Sequence, residues 1–330
     1  MTKPPETFEA LLREVLPWID EHLATSGTAV QERPLAAARQ FIDHFVLAIE
    51  GDTKDNYLVK PWFAGIFQPI YKWYERRYGQ ALTRQGQASV RGLVSHFATP
   101  CLIRVPLVLA EPNEDGTSWV RFPAEVLPTE KPLDWLETPP PLEELSPKRR
   151  QSLLSATASV ATSLRSINND LNTADYPEPR VGAMGRSVIR HLEKAAADAA
   201  SDDRASASLA VWELQMACEK TIKVYLAQKK VAYPAIHNLR QLQKLAVDSS
   251  DWSAAAKAMA GMPSERRVMA WRYAELPPPK PKDFDRFYAS TLSLCALYAS
   301  RMSRQYVLKN FAVHLRRPPW HGEASPTLGA

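Results

Sequence analysis

Only three cysteines occur in the 330 residues, Cys101, Cys218 and Cys295. They are scattered, form no Cys-x-x-Cys pair, and offer neither a disulfide framework nor a structural zinc site. Glycine is also scarce, at 12 residues, which leaves little room for a loop that cradles phosphates through bare backbone. No His-Glu-x-x-His and no Gly-x-Ser-x-Gly is present. No metal and no cofactor is therefore expected. No apolar run approaches the ~20 residues that span a bilayer. The opening MTKPPETFEALLREVL lacks a basic segment followed by an apolar one, so neither a membrane association nor a secretory signal is expected. A cytoplasmic location follows as the expectation.

What is present is an ordinary globular composition, 45% hydrophobic and 23% charged, with a formal net charge of +5. The charge is unevenly placed. Residues 1–147 carry 14 Lys/Arg against 20 Asp/Glu, and residues 148–330 carry 27 against 16. A basic C-terminal half suggests an anionic partner, RNA or a nucleotide, or else attraction between the two halves.

Periodicity predicts a mainly α protein. Phe8, Leu11, Leu12, Val15 and Ile19 form one apolar stripe, with a kink expected at Pro17 and a stop at Ser26-Gly27. A second helix is predicted from Pro34 to Gly51, followed by helices near 66–78 and 81–97. At residue 100 the pattern shifts. CLIRVPLVLA and SWVRFPAEV, separated by a segment containing Asp115-Gly116, predict a small β-hairpin. Six prolines between 127 and 147 predict a semi-extended connector. Helices then return near 148–171, 183–199, 204–230, 237–247 and 283–314. The expected organisation is an N-terminal helical domain over 1–99, a hairpin and connector over 100–147, a helical bundle over 148–317 and a disordered tail over 318–330.

Four features of the C-terminal part occur in an order that is similar to HEPN domains. They are AVWELQMACEKTIKVYLAQKKV, then HNLRQLQKLA beginning at His237, then RRVMAWRYAEL with Arg272-Tyr273, then DFDRFYASTLSLCALYASRMSRQY. The resemblance covers residues 200–314, about a third of the chain. It implies a bundle of four or five helices, often a homodimer, found in prokaryotic toxin–antitoxin and antiviral defence systems. Many members are metal-independent ribonucleases with an Arg-x4-6-His motif in the closing helix. Here the closing helix offers Arg301 and Arg304, with the next histidine as far on as His314.

The site residues follow. Arg186 and His191 have the Arg-x4-His spacing but stand some 140° apart on a helix, so joint catalysis needs a rearrangement or a second copy. Arg272 and Tyr273 pair a phosphate-binding guanidinium with a ring that can stack on a base. Arg301, Arg304 and Lys309 lie in a stretch without acids and form a candidate nucleic-acid face. Trp62, Tyr71, Trp73 and Tyr74 belong to the densest aromatic segment, 57–78, which is either a partner-binding surface or the N-terminal core. The leading expectation is a non-catalytic HEPN-like module that binds RNA, a nucleotide or a protein partner. The alternatives are a ribonuclease with a displaced Arg186/His191 site, and a scaffold acting through its N-terminal aromatics.

Overall fold

The computed structural model describes residues 7–83, 89–113, 117–246 and 252–316. The protein is mainly α. Among the described residues, no helix is long and apolar enough to cross a membrane. The described chain divides into two compact units. The first takes in residues 7–83, with 112–113, 117–118 and 314–316; the second takes in 89–111 and 119–313.

The first unit is built on helices α1 (Phe8–Thr25), α2 (Arg33–Phe45), α3 (Pro61–Tyr78) and the single turn α4 (Gln80–Thr83). Thr7 caps α1 by accepting from the Ala10 amide at 3.1 Å, and the helix runs on through Pro17. Helix α2 stops at Phe45, short of the expected Gly51. Val46 is already extended, and an Ile49–Asp52 bridge closes a turn around Gly51 at φ +73°. The buried carboxylate of Asp20 fixes the unit's interior. It takes Arg33 at 3.3 Å, Arg77 at 3.4 Å and the Tyr78 hydroxyl. Leu12, Leu16, Ile42, Phe63, Ile70 and Tyr74 close around it as a small core.

The second unit begins with strands β1 (Ser89–His96) and β2 (Thr99–Pro106), an antiparallel hairpin paired from Ser89↔Pro106 to His96↔Thr99. A helix over 81–97 was expected, so this is a correction. Its cause is local: β1 buries residues on both faces, so Val90, Leu93 and Val94 lose the alternation that marks a strand. The two turn residues, Phe97 and Ala98, both adopt positive φ (51° and 61°) without the usual Asn or Gly to announce it. Gly92 is required by close approach. A Cβ there would stand 2.7 Å from the Leu164 side chain of the helix packed above.

Strand β2 uses up the segment expected to pair with SWVRFP. Of that segment only its end, in β3 (Leu109–Pro112), pairs with β4 (Thr117–Phe122), and β5 (Phe311–Arg316) completes that sheet in the order β3-β4-β5. The Asp115-Gly116 turn lies outside the described residues. The main body is a bundle of α5 (Pro147–Thr173), α6 (Pro179–Ala199), α7 (Arg204–Gln228), α8 (Leu239–Ala246), α9 (Ser253–Gly261), α10 (Glu265–Arg272) and α11 (Pro281–Ser300). The hairpin and these helices share one continuous core.

The proline-rich stretch is no free connector. Arg165 of α5, fully buried, pairs with Glu130 at 2.5 Å and donates to the carbonyls of Pro106 and Glu125 at 2.8 and 2.9 Å. Leu136 is buried beside it and bridges to Ile103. A buried cation needs this set of acceptors, and the stretch supplies them. The closing helix is also shorter than the expected 283–314. It ends at Ser300, after which Gln305 and Asp175 exchange backbone hydrogen bonds with Thr173 and Ser303 before the chain enters β5.

Breaking the Arg165–Glu130 pair strands a buried charge. Glu130→Ala should therefore lower the unfolding free energy of this unit by about 3–5 kcal/mol, measured as a shift in urea midpoint. A change under 1 kcal/mol would show that Arg165 reaches water.

Candidate ligand-binding site

Helix α7 starts at an Asp203 cap that accepts from the Ala205 and Ser206 amides. Its apolar residues Val211, Leu214, Cys218 and Ile222 are fully buried. Because α6, α8, α10 and α11 all pack on it, its polar residues are drawn inward too. Glu219 is only 4% exposed, and Gln215 only 2%.

Two polar clusters result. The first joins α6 to α7. His191 Nδ1 lies 2.6 Å from Glu213, His191 Nε2 lies 2.7 Å from Lys220 Nζ, and Lys220 also donates to Ser187 Oγ at 2.9 Å. The ammonium can only donate, so Nε2 must accept. That places the imidazole proton on Nδ1, facing the carboxylate. Burial pushes the Lys220 amine below the usual lysine range, while Glu213 and Glu219 partly restore it.

The second cluster joins α7 to the start of α8 and the end of α10. Glu219 takes Lys223 at 2.7 Å and His237 at 2.8 Å. The His237 ring meets the Trp212 indole edge-on at 5.4 Å between centroids. Over that same indole lies the Arg272 guanidinium, 3.9 Å from the ring centre and 5.8 Å from the Tyr273 ring. Arg272 and Tyr273 are both exposed. A cleft of about 270 Å³ is lined by Gln215 and by the first residues of α8 and α10, including Arg240 and Arg266.

The structure thus brings together His237, Arg272 and Tyr273. Arg186 and His191 remain apart: Arg186 lies 6.0 Å from the Tyr176 ring, and both His191 nitrogens are engaged by Glu213 and Lys220. Arg304 and Lys309 turn inward, each 2.9 Å from the buried Asp170 carboxylate, and Arg301 covers the Trp252 ring at 4.1 Å. Those three do not present the open basic face expected of them. In the first unit, Tyr74 is fully buried, whereas Trp62, Tyr71 and Trp73 pack half-buried against its core. Among the described residues, no His/Cys/Asp/Glu group is arranged to hold a metal ion.

Trp212, Gln215, Arg240 and Arg266 escaped the sequence reading. Gln215 carried one available signal, a polar residue adjoining the buried stripe of α7. Comparison with protein-family models, curated proteins and solved structures returned no match.

Lysine 220 should titrate below the other lysines, and removing the carboxylate that opposes the shift should lower it further. Competitive acetylation across pH should label Lys220 at lower pH than exposed lysines, and earlier still in Glu213→Gln. An unchanged or raised labelling midpoint in that variant would refute the charge assignment.

Proposed function

We propose that this chain is a cytoplasmic, non-catalytic binding module, HEPN-like in its helical part, that engages RNA or a nucleotide through the α7–α8–α10 face. The observation that carries the reading is Arg272. Its guanidinium lies over the Trp212 ring, 3.9 Å from the centre, with the Tyr273 ring 5.8 Å away, and the residue is exposed. A guanidinium fixed this way can meet a phosphate bidentately without paying to order a flexible side chain. Tyr273, 62% exposed at the end of α10, offers a stacking surface one residue away. His237, held by Glu219, meets the same Trp212 ring, and Arg240 and Arg266 line the cleft at the starts of α8 and α10. The separation of Arg186 from His191 favours binding over the ribonuclease alternative.

Arg272→Ala should reduce the salt slope of single-stranded RNA binding by about 0.7, one phosphate contact. Tyr273→Ala should weaken binding by about 1–3 kcal/mol. Arg304→Ala should instead lower stability and leave affinity unchanged, because its partner is Asp170. Filter retention across salt concentrations tests all three, and absence of RNA retention by the wild-type chain at low salt would end the reading.

A further inference from the structure

Carboxylate, imidazole and amine stand in one hydrogen-bonded line between α6 and α7. Glu213 Oε2 lies 2.6 Å from His191 Nδ1, and His191 Nε2 lies 2.7 Å from Lys220 Nζ. A nucleophile in reach of a base, with the base oriented by a third group, is the arrangement that activates a weak nucleophile. Here the nucleophile is an amine. With the imidazole proton on Nδ1, facing Glu213, Nε2 turns its lone pair to Lys220, as a base must.

The second contact of Lys220 completes the geometry. Nζ also donates to Ser187 Oγ at 2.9 Å, and that hydroxyl is held in turn by its bond to the Met184 carbonyl at 2.7 Å. A neutral amine has two N–H bonds and one lone pair. Both N–H bonds are taken, by His191 and Ser187, so the lone pair points away from the two of them. Lys220 is half-buried and the His191 side chain is 22% exposed, so the cluster sits at the surface. The charged groups around the amine are Glu213 and Glu219 on its own helix and, on α6, His191, with Lys194 3.8 Å from Glu213. Burial holds the amine below the usual lysine range against the pull of both carboxylates, which raises the share of neutral amine at a given pH.

We propose that Lys220 is a self-acylating residue: its Nζ takes an acyl group from an acyl phosphate or an acyl thioester, with His191 as the base and Glu213 positioning the imidazole. The lone pair attacks the carbonyl carbon and a C–N bond forms, so the acyl donor displaces neither existing bond. The bond from that carbon to the phosphate oxygen or the thiolate sulfur breaks, and the leaving group departs with its electron pair. The proton that the nitrogen must shed passes to Nε2. The resulting imidazolium lies against the Glu213 carboxylate and returns the proton to solvent. The product amide has a single N–H and no charge, so at most one of the bonds to His191 and Ser187 survives. The chain is modified once and does not turn over.

The test incubates the full chain with acetyl phosphate or with the acetyl thioester of N-acetylcysteamine over a pH series, and follows each lysine by peptide mass spectrometry. Every rate profile gives a midpoint and a limiting rate for the neutral amine. Lys194, whose side chain is 53% exposed, is the internal reference. Lowered basicity alone would speed Lys220 near neutral pH, so the limiting rate decides. There a less basic amine is the slower nucleophile, whereas an amine beside a base stays the faster one. His191→Gln should lower the limiting rate at Lys220 about a hundredfold, the lower end of the range for a positioned base, and leave Lys194 unchanged. Glu213→Gln should lower it severalfold while moving the midpoint to lower pH. A mere loosening of α6 from α7 would instead move the midpoint up, towards that of exposed lysines. Reaction with one donor alone names the donor class, and reaction with both makes the acyl carbonyl itself the group that is met. A limiting rate at or below that of Lys194, or one unchanged in His191→Gln, overturns the proposal.

Discussion

Enclosing α7 between neighbouring helices forces its polar side chains to find partners inside the protein, because an unpaired polar group away from water is costly. Glu219 recruits Lys223 and His237, and Glu213 recruits His191, which in turn accepts from Lys220. The Glu219–Lys223 pair lies within α7, whereas the bonds to His237 and His191 tie α7 to the α8 start and to α6, so satisfying the interior also sets their positions. Gln215 obeys the same constraint with only half its amide. Its Nε2 donates to the His237 carbonyl, which holds the segment before α8 against α7.

The same constraint explains how the basic charge of the C-terminal half is used. Counted along the chain, that half is strongly cationic. Part of the charge serves the interior: Arg165 satisfies Glu130 and two carbonyls, and Arg304 and Lys309 neutralise Asp170. These cations hold the proline-rich stretch and the segment after α11 against α5. Around α10, Arg240, Arg266, Arg267 and Arg272 remain exposed.

Helical character was legible where one face alone is buried, as in α1, and the long α7 was visible from its apolar stripe. Legibility failed where tertiary contacts override local pattern. β1 is covered on both faces, and its turn is made by Phe97-Ala98 in left-handed backbone, a choice no propensity favours. The stretch after Ser300 had helical spacing, but Arg304 and Lys309 are captured by Asp170, 130 or more positions earlier, and the backbone bonds to Thr173 instead. At the site, Arg272, Tyr273 and His237 stood out by residue type. Gln215 could not, because its distinguishing property is an absent partner, which exists only once the chain is folded.

Of the two polar clusters on α7, only one is arranged to meet a ligand. In the Glu213–His191–Lys220–Ser187 chain, every functional nitrogen already has a protein partner, and a ligand would have to displace a bond to gain one. Around Gln215 and Arg272 the reverse holds. The Trp212 ring and the Gln215 bond to the His237 carbonyl fix the geometry, while Arg272 and Tyr273 remain exposed. Preorganised groups with unspent hydrogen-bonding capacity lower the cost of ordering on association. That asymmetry, rather than the number of basic residues nearby, is the physical ground for placing ligand binding at the α8–α10 end of the bundle.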